Sequence, residues 1–174
     1  LGRANIHVMP NPLALPPLVW TDEGWKMPDG EYVEKKPIVL AAGRLEDWHS
    51  KGFDLLIKAW GMLEPEVRKK WTLEIAGKET PKSLAYLKNL CKQYGVENSV
   101  KFLGFREDID KLMQQASIFV LSSRYEVFGL VLIEAMSQGC ACIAADYKGR
   151  QKEIFGSIDN GIAIETESST SMTD

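Results

Sequence analysis

Six short apolar runs constrain this chain more than any other feature. They cover residues 38–42, 71–77, 100–104, 118–121, 140–145 and 161–164, and helical stretches separate them. After the first run, Phe53, Leu55, Leu56, Ile57, Ala59 and Trp60 recur at helical spacing, and further helices are expected at about 81–94 and 107–116 and from Gly129 onward. Runs without polar alternation are strands covered on both faces, and strands that alternate with helices require parallel crossovers. The expected fold class is therefore α/β, a doubly wound parallel sheet over residues 37–165. Such sheets bind ligands beyond the carboxyl ends of their strands. The loops after Ala42, Ala76, Leu103, Leu121 and Ala145 are the places to look for a site.

At 174 residues the chain fits one domain with ample core. Its net charge of -3, from 21 Lys+Arg against 24 Asp+Glu, argues against nucleic acid or an anionic membrane as the main partner. Cys91, Cys140 and Cys142 are too few for a disulfide framework and are expected as small core residues, the last two on opposite faces of a strand. A reducing, cytoplasmic setting follows. Residues 1–36, rich in Pro, Asp and Gly, read as an inter-domain segment and loop, and 166–174 as a polar tail. No signal peptide or membrane-spanning run is visible, and the chain, opening on Leu1, reads as cut from a longer protein.

The loops carry the chemistry. Gly43-Arg44 ends the first strand and Lys51-Gly52 opens the following helix, which delivers two cations to one sheet edge, as a diphosphate would require; the bland alternative is a pair of solvated charges. After the fourth strand, Phe128-Gly129-Leu130 opens an apolar helix whose unpaired N–H groups make an anion site. That helix carries Glu134, which reads as a carboxylate in a helix buried on every side, and stranding an ionised group there costs several kcal/mol unless something pairs with it. A phosphate at the helix mouth would lie about 7 to 8 Å from Glu134, within reach of an attached ribose. An ion pair with a neighbouring Lys or Arg is the alternative. Glu126, eight residues earlier, borders the same crevice or is an exposed loop acid.

These residues carry a resemblance. Gly43-Arg44-Leu45, Lys51-Gly52-Phe53-Asp54, Val100-Lys101-Phe102-Leu103-Gly104 and above all the stretch from Glu126 to Met136, an E-x7-E pattern, resemble the nucleotide-sugar-binding half of retaining, GT-B-fold glycosyltransferases of family 4, the glycosyl transferases group 1. The resemblance spans most of residues 5–165 and includes Pro10-Asn11, where the family's second domain begins. It implies the Rossmann-like C-terminal half of a GT-B enzyme, with the N-terminal acceptor domain absent. By the same resemblance Arg44 and Lys51 bind the donor diphosphate, Glu134 binds ribose hydroxyls and Glu126 contacts the transferred sugar. Gly43, Phe128, Gly129, Leu130 and Val131 line the donor, and Phe105 and Arg106 border the base. Lys148-Gly149 departs from the family's two glycines, and the loop between Arg44 and Lys51 is long.

The implied activity is transfer of a sugar from a nucleoside diphosphate sugar to a glycan or lipid acceptor, without cofactor or metal, in polysaccharide or glycolipid biosynthesis. Catalytic roles fall to Glu126, Arg44 and Lys51, and the fragment alone is expected to be inactive. The acceptor, and any membrane association at the inner face, would come through the missing domain. Asp108-Ile109-Asp110 imitates a metal-binding D-x-D but is expected to open a short helix, where acids favour the dipole. With no partners that would make a constellation, His7 is expected as a packed strand residue and Trp48 and His49 as surface residues. A nicotinamide domain would need G-x-G-x-x-G after the first strand, and a phospho-accepting receiver would need acids at its strand ends. A sugar-nucleotide epimerase of the same architecture and a non-catalytic sugar-nucleotide-binding protein remain as rivals.

Overall fold

The computed structural model of the protein describes residues 16–126, 129–146, 155 and 161–165. Three short antiparallel strands come first: β1 (Val19–Thr21), β2 (Gly24–Lys26) and β3 (Tyr32–Val33). Then follow β4 (Lys36–Ala42), α1 (Phe53–Met62), α2 (Pro65–Lys70), β5 (Thr72–Ala76) and α3 (Pro81–Tyr94). β6 (Val100–Gly104), α4 (Ile109–Gln115), β7 (Ala116–Leu121), α5 (Leu130–Ser137), β8 (Ala141–Asp146) and β9 (Gly161–Glu165) complete the order. The last six strands form one parallel sheet in the order β6-β5-β4-β7-β8-β9. Sequence order reverses at β4, so β4 and β7 frame the switch point of a doubly wound fold.

Strand pleating sorts the apolar runs into two cores. Val39, Ala41, Leu73 and Ile75 pack with Phe53, Leu56, Ile57 and Trp60 of α1 and with Leu87 and Cys91 of α3. Leu40, Phe119, Leu121 and Ala144 face the other way, onto Met113 of α4 and onto Leu132 and Ala135 of α5. Helix α3 has both ends written in sequence: Thr80 caps Ser83 in a capping box, Pro81 takes the first position, and Gly95 closes the helix with φ 64°. Helix α2 buries no residue, so it leaves no apolar stripe for the sequence reading to find.

Two expectations are corrected. Cys140 and Cys142 do not point to opposite faces: residues two apart in a strand share a face, and both thiols lie in the α4/α5 core. Burial pushes the Cys140 thiol up to about 11 and that of Cys142 up to about 12, so both stay protonated at neutral pH. The segment before Pro37 is not wholly loop. Trp20 and Trp25 pair across β1 and β2 with ring centroids 5.2 Å apart, around a turn in which Thr21 Oγ1 donates to the Gly24 carbonyl. Cross-strand aromatics flanking an Asp-Glu-Gly turn are a hairpin signal that the abundance of Pro and Gly obscured.

This meander is docked onto the sheet domain. A Cβ at Gly139 would lie 2.9 Å from the Trp25 ring, and the Leu18 N–H donates to the Ser137 carbonyl at 2.8 Å. Lys35 adds a half-buried anchor, its ammonium donating to the carbonyls of Met113 (3.0 Å), Ala116 (3.0 Å) and Gln138. A cation there satisfies carbonyl groups that the ends of α4 and α5 leave without intrahelical donors. Burial meanwhile pulls the Lys35 pKa below the usual lysine range. Lys35→Met is expected to cost about 1 to 3 kcal/mol, because it strands these acceptors; urea unfolding at neutral pH would show it as a lowered midpoint with an unchanged slope.

Candidate functional site

Two loops leave the carboxyl ends of β4 and β7 and meet over the switch point. The first is pinned from below: Gly43 N–H donates to the Ala76 carbonyl at 3.0 Å and Leu45 N–H to the Lys78 carbonyl at 2.7 Å, while the Leu45 side chain is wholly buried. Gly77, at φ +153°, presses against this loop so closely that a Cβ would lie 1.7 Å from the Gly43 oxygen. At Gly43 itself a Cβ would meet the Lys51 stem at 3.4 Å. The expected Gly43 site residue thus makes room for the lysine that folds over it.

Contact between the loops depends on Gly52. Its φ is +66°, and a Cβ there would fall 1.9 Å from the Ser122 carbonyl oxygen. Around it the loops are joined: Ser122 Oγ donates to the Lys51 carbonyl at 2.8 Å, and Arg124 N–H to the Ser50 carbonyl at 2.9 Å. Lys51 Nζ consequently stands 3.2 Å from Glu126 Oε2, with the two side chains 25% and 19% exposed. Two of the expected site residues are therefore brought together, as an ion pair. Arg44 is not part of it; its guanidinium, 65% exposed, pairs with Asp47 at 2.7 Å on the rim.

Gly129 precedes α5 in the left-handed conformation, and a Cβ there would contact Leu121 and Leu132 at 3.3 Å and Glu126 Cγ at 3.7 Å. The Lys51–Glu126 pair therefore lies beside the start of α5, where the first-turn N–H groups at Leu130 and Val131 have no intrahelical acceptor. Phe128 lies outside the described residues. Helix α5 is not buried on every side as expected: Leu132 and Ala135 are buried, whereas Val131, Ile133, Glu134 and Met136 are half-buried and Leu130 is exposed. Glu134 thus keeps some water, which removes most of the cost expected of it. Its carboxylate makes no ion pair among the described residues.

The loop after β6 stands two strands away from β4. Phe105 is 69% exposed there, and Arg106 forks onto Asp108 with contacts of 2.8 and 2.7 Å. The Asp108 carboxyl is accordingly held below its usual range, chiefly by the hydrogen bond from Arg106. Asp108-Ile109-Asp110 opens α4, as expected. Trp48, expected at the surface, stacks on Tyr86 with centroids 4.2 Å apart and packs against the α1/α3 core, whereas His49 is exposed.

Sequence reasoning missed Arg124 and Asp54. The guanidinium donates to Asp54 Oδ1 at 2.7 Å, to Asp54 Oδ2 at 2.9 Å and to the His49 carbonyl at 2.7 Å. It also missed Ser123, whose buried hydroxyl has no hydrogen-bond partner among the described residues.

A six-stranded parallel sheet with this order defines a doubly wound, Rossmann-like α/β domain. Residues 26–174 match the glycosyl transferases group 1, and the chain belongs to that family. It is 32% identical over 138 residues to the N-acetylgalactosamine-N,N'-diacetylbacillosaminyl-diphospho-undecaprenol 4-alpha-N-acetylgalactosaminyltransferase of Campylobacter jejuni, over 79% of this chain and 36% of the relative. WaaG, a glycosyltransferase involved in lipopolysaccharide biosynthesis, superposes with a TM-score of 0.67 at 25% identity, over 80% of this chain and 36% of WaaG. Anabaena HepE, solved with UDP and glucose, gives 0.64 at 29% identity, over 79% of this chain and 37% of HepE. The fold is that of GT-B glycosyltransferases, and the chain spans little more than a third of the length of these relatives.

The seam at Gly52 yields a test. Gly52→Ala combines an αL alanine with a clash against backbone, and is expected to destabilise the fold by about 2 kcal/mol or more. Thermal unfolding would show this as a lower Tm, with Gly95→Ala, where nothing lies within 4 Å of the added Cβ, as the milder control.

Proposed function

We propose that this chain is the donor-binding half of a retaining glycosyltransferase that moves a sugar from a nucleoside diphosphate sugar to a glycan or lipid acceptor. One observation carries the reading: Lys51 and Glu126 meet at the switch point beside the start of α5, and Glu134, without an ion pair among the described residues, stands farther along that helix. An ammonium and first-turn N–H groups suit a diphosphate. A carboxylate about 7 to 8 Å along the helix suits ribose hydroxyls.

In this reading Lys51, and Arg44 once it swings inward from Asp47, stabilise the departing diphosphate, an electrostatic contribution that needs no metal from these residues. Glu126 faces the transferred sugar. Gly43, Gly129, Leu130, Val131 and Phe128 line the donor, and Phe105 with Arg106 borders the base. The acceptor and any general base come from an N-terminal domain. The UDP and glucose in HepE support UDP as the first nucleotide to try. Action in the cytoplasm, peripheral to the membrane's inner face, fits the undecaprenol-linked substrate named for the Campylobacter relative; among the described residues no helix is long and apolar enough to cross a membrane.

Calorimetric titration with UDP, GDP and ADP tests the reading. At least one should bind in the millimolar range or tighter, and Glu134→Ala should weaken it by about 10- to 100-fold, the worth of hydrogen bonds to a charged group. A folded protein that binds none of them would overturn the assignment.

A further inference from the structure

The crevice loops are joined by two ion pairs of opposite polarity. Lys51 of the first loop meets Glu126 of the second, whereas Asp54, in the first turn of α1, receives Arg124 of the second. The outer pair is the better built. Its side chains are 16% and 20% exposed, both carboxylate oxygens are engaged by the planar guanidinium, and the same guanidinium reaches the His49 carbonyl. The Arg124 backbone N–H meanwhile holds the Ser50 carbonyl. Arg124 therefore grips the first loop at positions 49, 50 and 54, on both sides of Lys51. The inner pair has a single contact of 3.2 Å on a flexible lysine stem.

We propose that Arg124 and Asp54 form a latch that positions Lys51 for the diphosphate of the donor. This inference rests on the donor-binding reading above and adds two positioning residues to it. The forked pair fixes the backbone from which Lys51 projects, so the ammonium meets an incoming phosphate without a search over loop conformations. Arg124 acts through Lys51: the contacts described for its guanidinium go to Asp54 and the His49 carbonyl, which fix the segment that carries the ammonium.

The test uses the full-length protein and two probes, UDP by calorimetry and uridine by saturation-transfer NMR. Arg124→Met should weaken UDP by about tenfold or more, the scale of a charge-assisted contact, and leave uridine binding unchanged. In the Arg124→Met background Lys51→Met should add little, because the ammonium is already misplaced. Arg124→Lys, which keeps the charge but cannot fork, should recover only part of the UDP affinity. Equal weakening of UDP and uridine, or fully additive Arg124→Met and Lys51→Met effects, would overturn the latch. Should Arg124→Met fail to fold by circular dichroism, Asp54→Asn removes the opposite half and is read in the same way. Wild-type protein that binds no nucleoside diphosphate would bring down the donor reading and the latch together, whereas normal UDP binding by a folded Arg124→Met protein would sink the latch alone.

Discussion

The carbonyl of Ser122 occupies the space that any side chain at position 52 would need, and the arrangement of the crevice follows from that contact. Only glycine lets the β4 and β7 loops approach to backbone distance, and only at that distance do Ser122 Oγ and the Arg124 N–H reach carbonyls of the facing loop. The seam lies at the switch point because the sheet order reverses there. Neighbouring loops diverge to opposite faces at that point and leave a crevice between them, whereas elsewhere crossovers on the same face fill it. The glycine is thus the local condition for a site whose place is set globally.

Electrostatics divides the labour within the seam. The half-buried Arg124–Asp54 fork satisfies both carboxylate oxygens, and a bidentate pair of this kind gains geometric specificity as well as energy. Breaking such a pair by removing one partner is costly, since it leaves a poorly solvated charge behind. The Lys51–Glu126 contact has neither a fork nor a second bond joining the pair, which suits a group that must change partners. Arg44 is largely in water and held by an (i, i+3) acid, a contact worth little to stability and cheap to exchange.

Much of this was legible in the chain. The apolar runs at 38–42 and 118–121 announced strands covered on both faces, and the glycines and charges after them fell where an α/β sheet places its site. What escaped did so for physical reasons. Helix α2 has no buried face to give a period, and the meander's Trp20–Trp25 pairing was masked by surrounding Pro, Asp and Gly. Arg124 and Asp54 are separated by 70 residues and each looks like a solvated loop charge; their fork exists only once Gly52 has brought the loops together. For α5, composition overstated burial: eight residues with a single charge suggested a helix enclosed all round, yet only Leu132 and Ala135 are covered.

That partial exposure changes how Glu134 is understood. A fully buried carboxylate would have had to be neutralised or paired before any ligand came. A half-buried one keeps part of its hydration without a partner, and in the reading proposed above it exchanges that water for the hydroxyl donors of a ligand. The same reasoning separates the two acids of the E-x7-E pattern. Glu126 is already compensated by Lys51, so an anion that arrives there must compete with it for that ammonium. Glu134 has no such tie among the described residues. In the donor-binding reading proposed above, one acid answers the charge of the donor and the other its hydroxyls, a division that follows from where each stands relative to Gly129 and the first turn of α5.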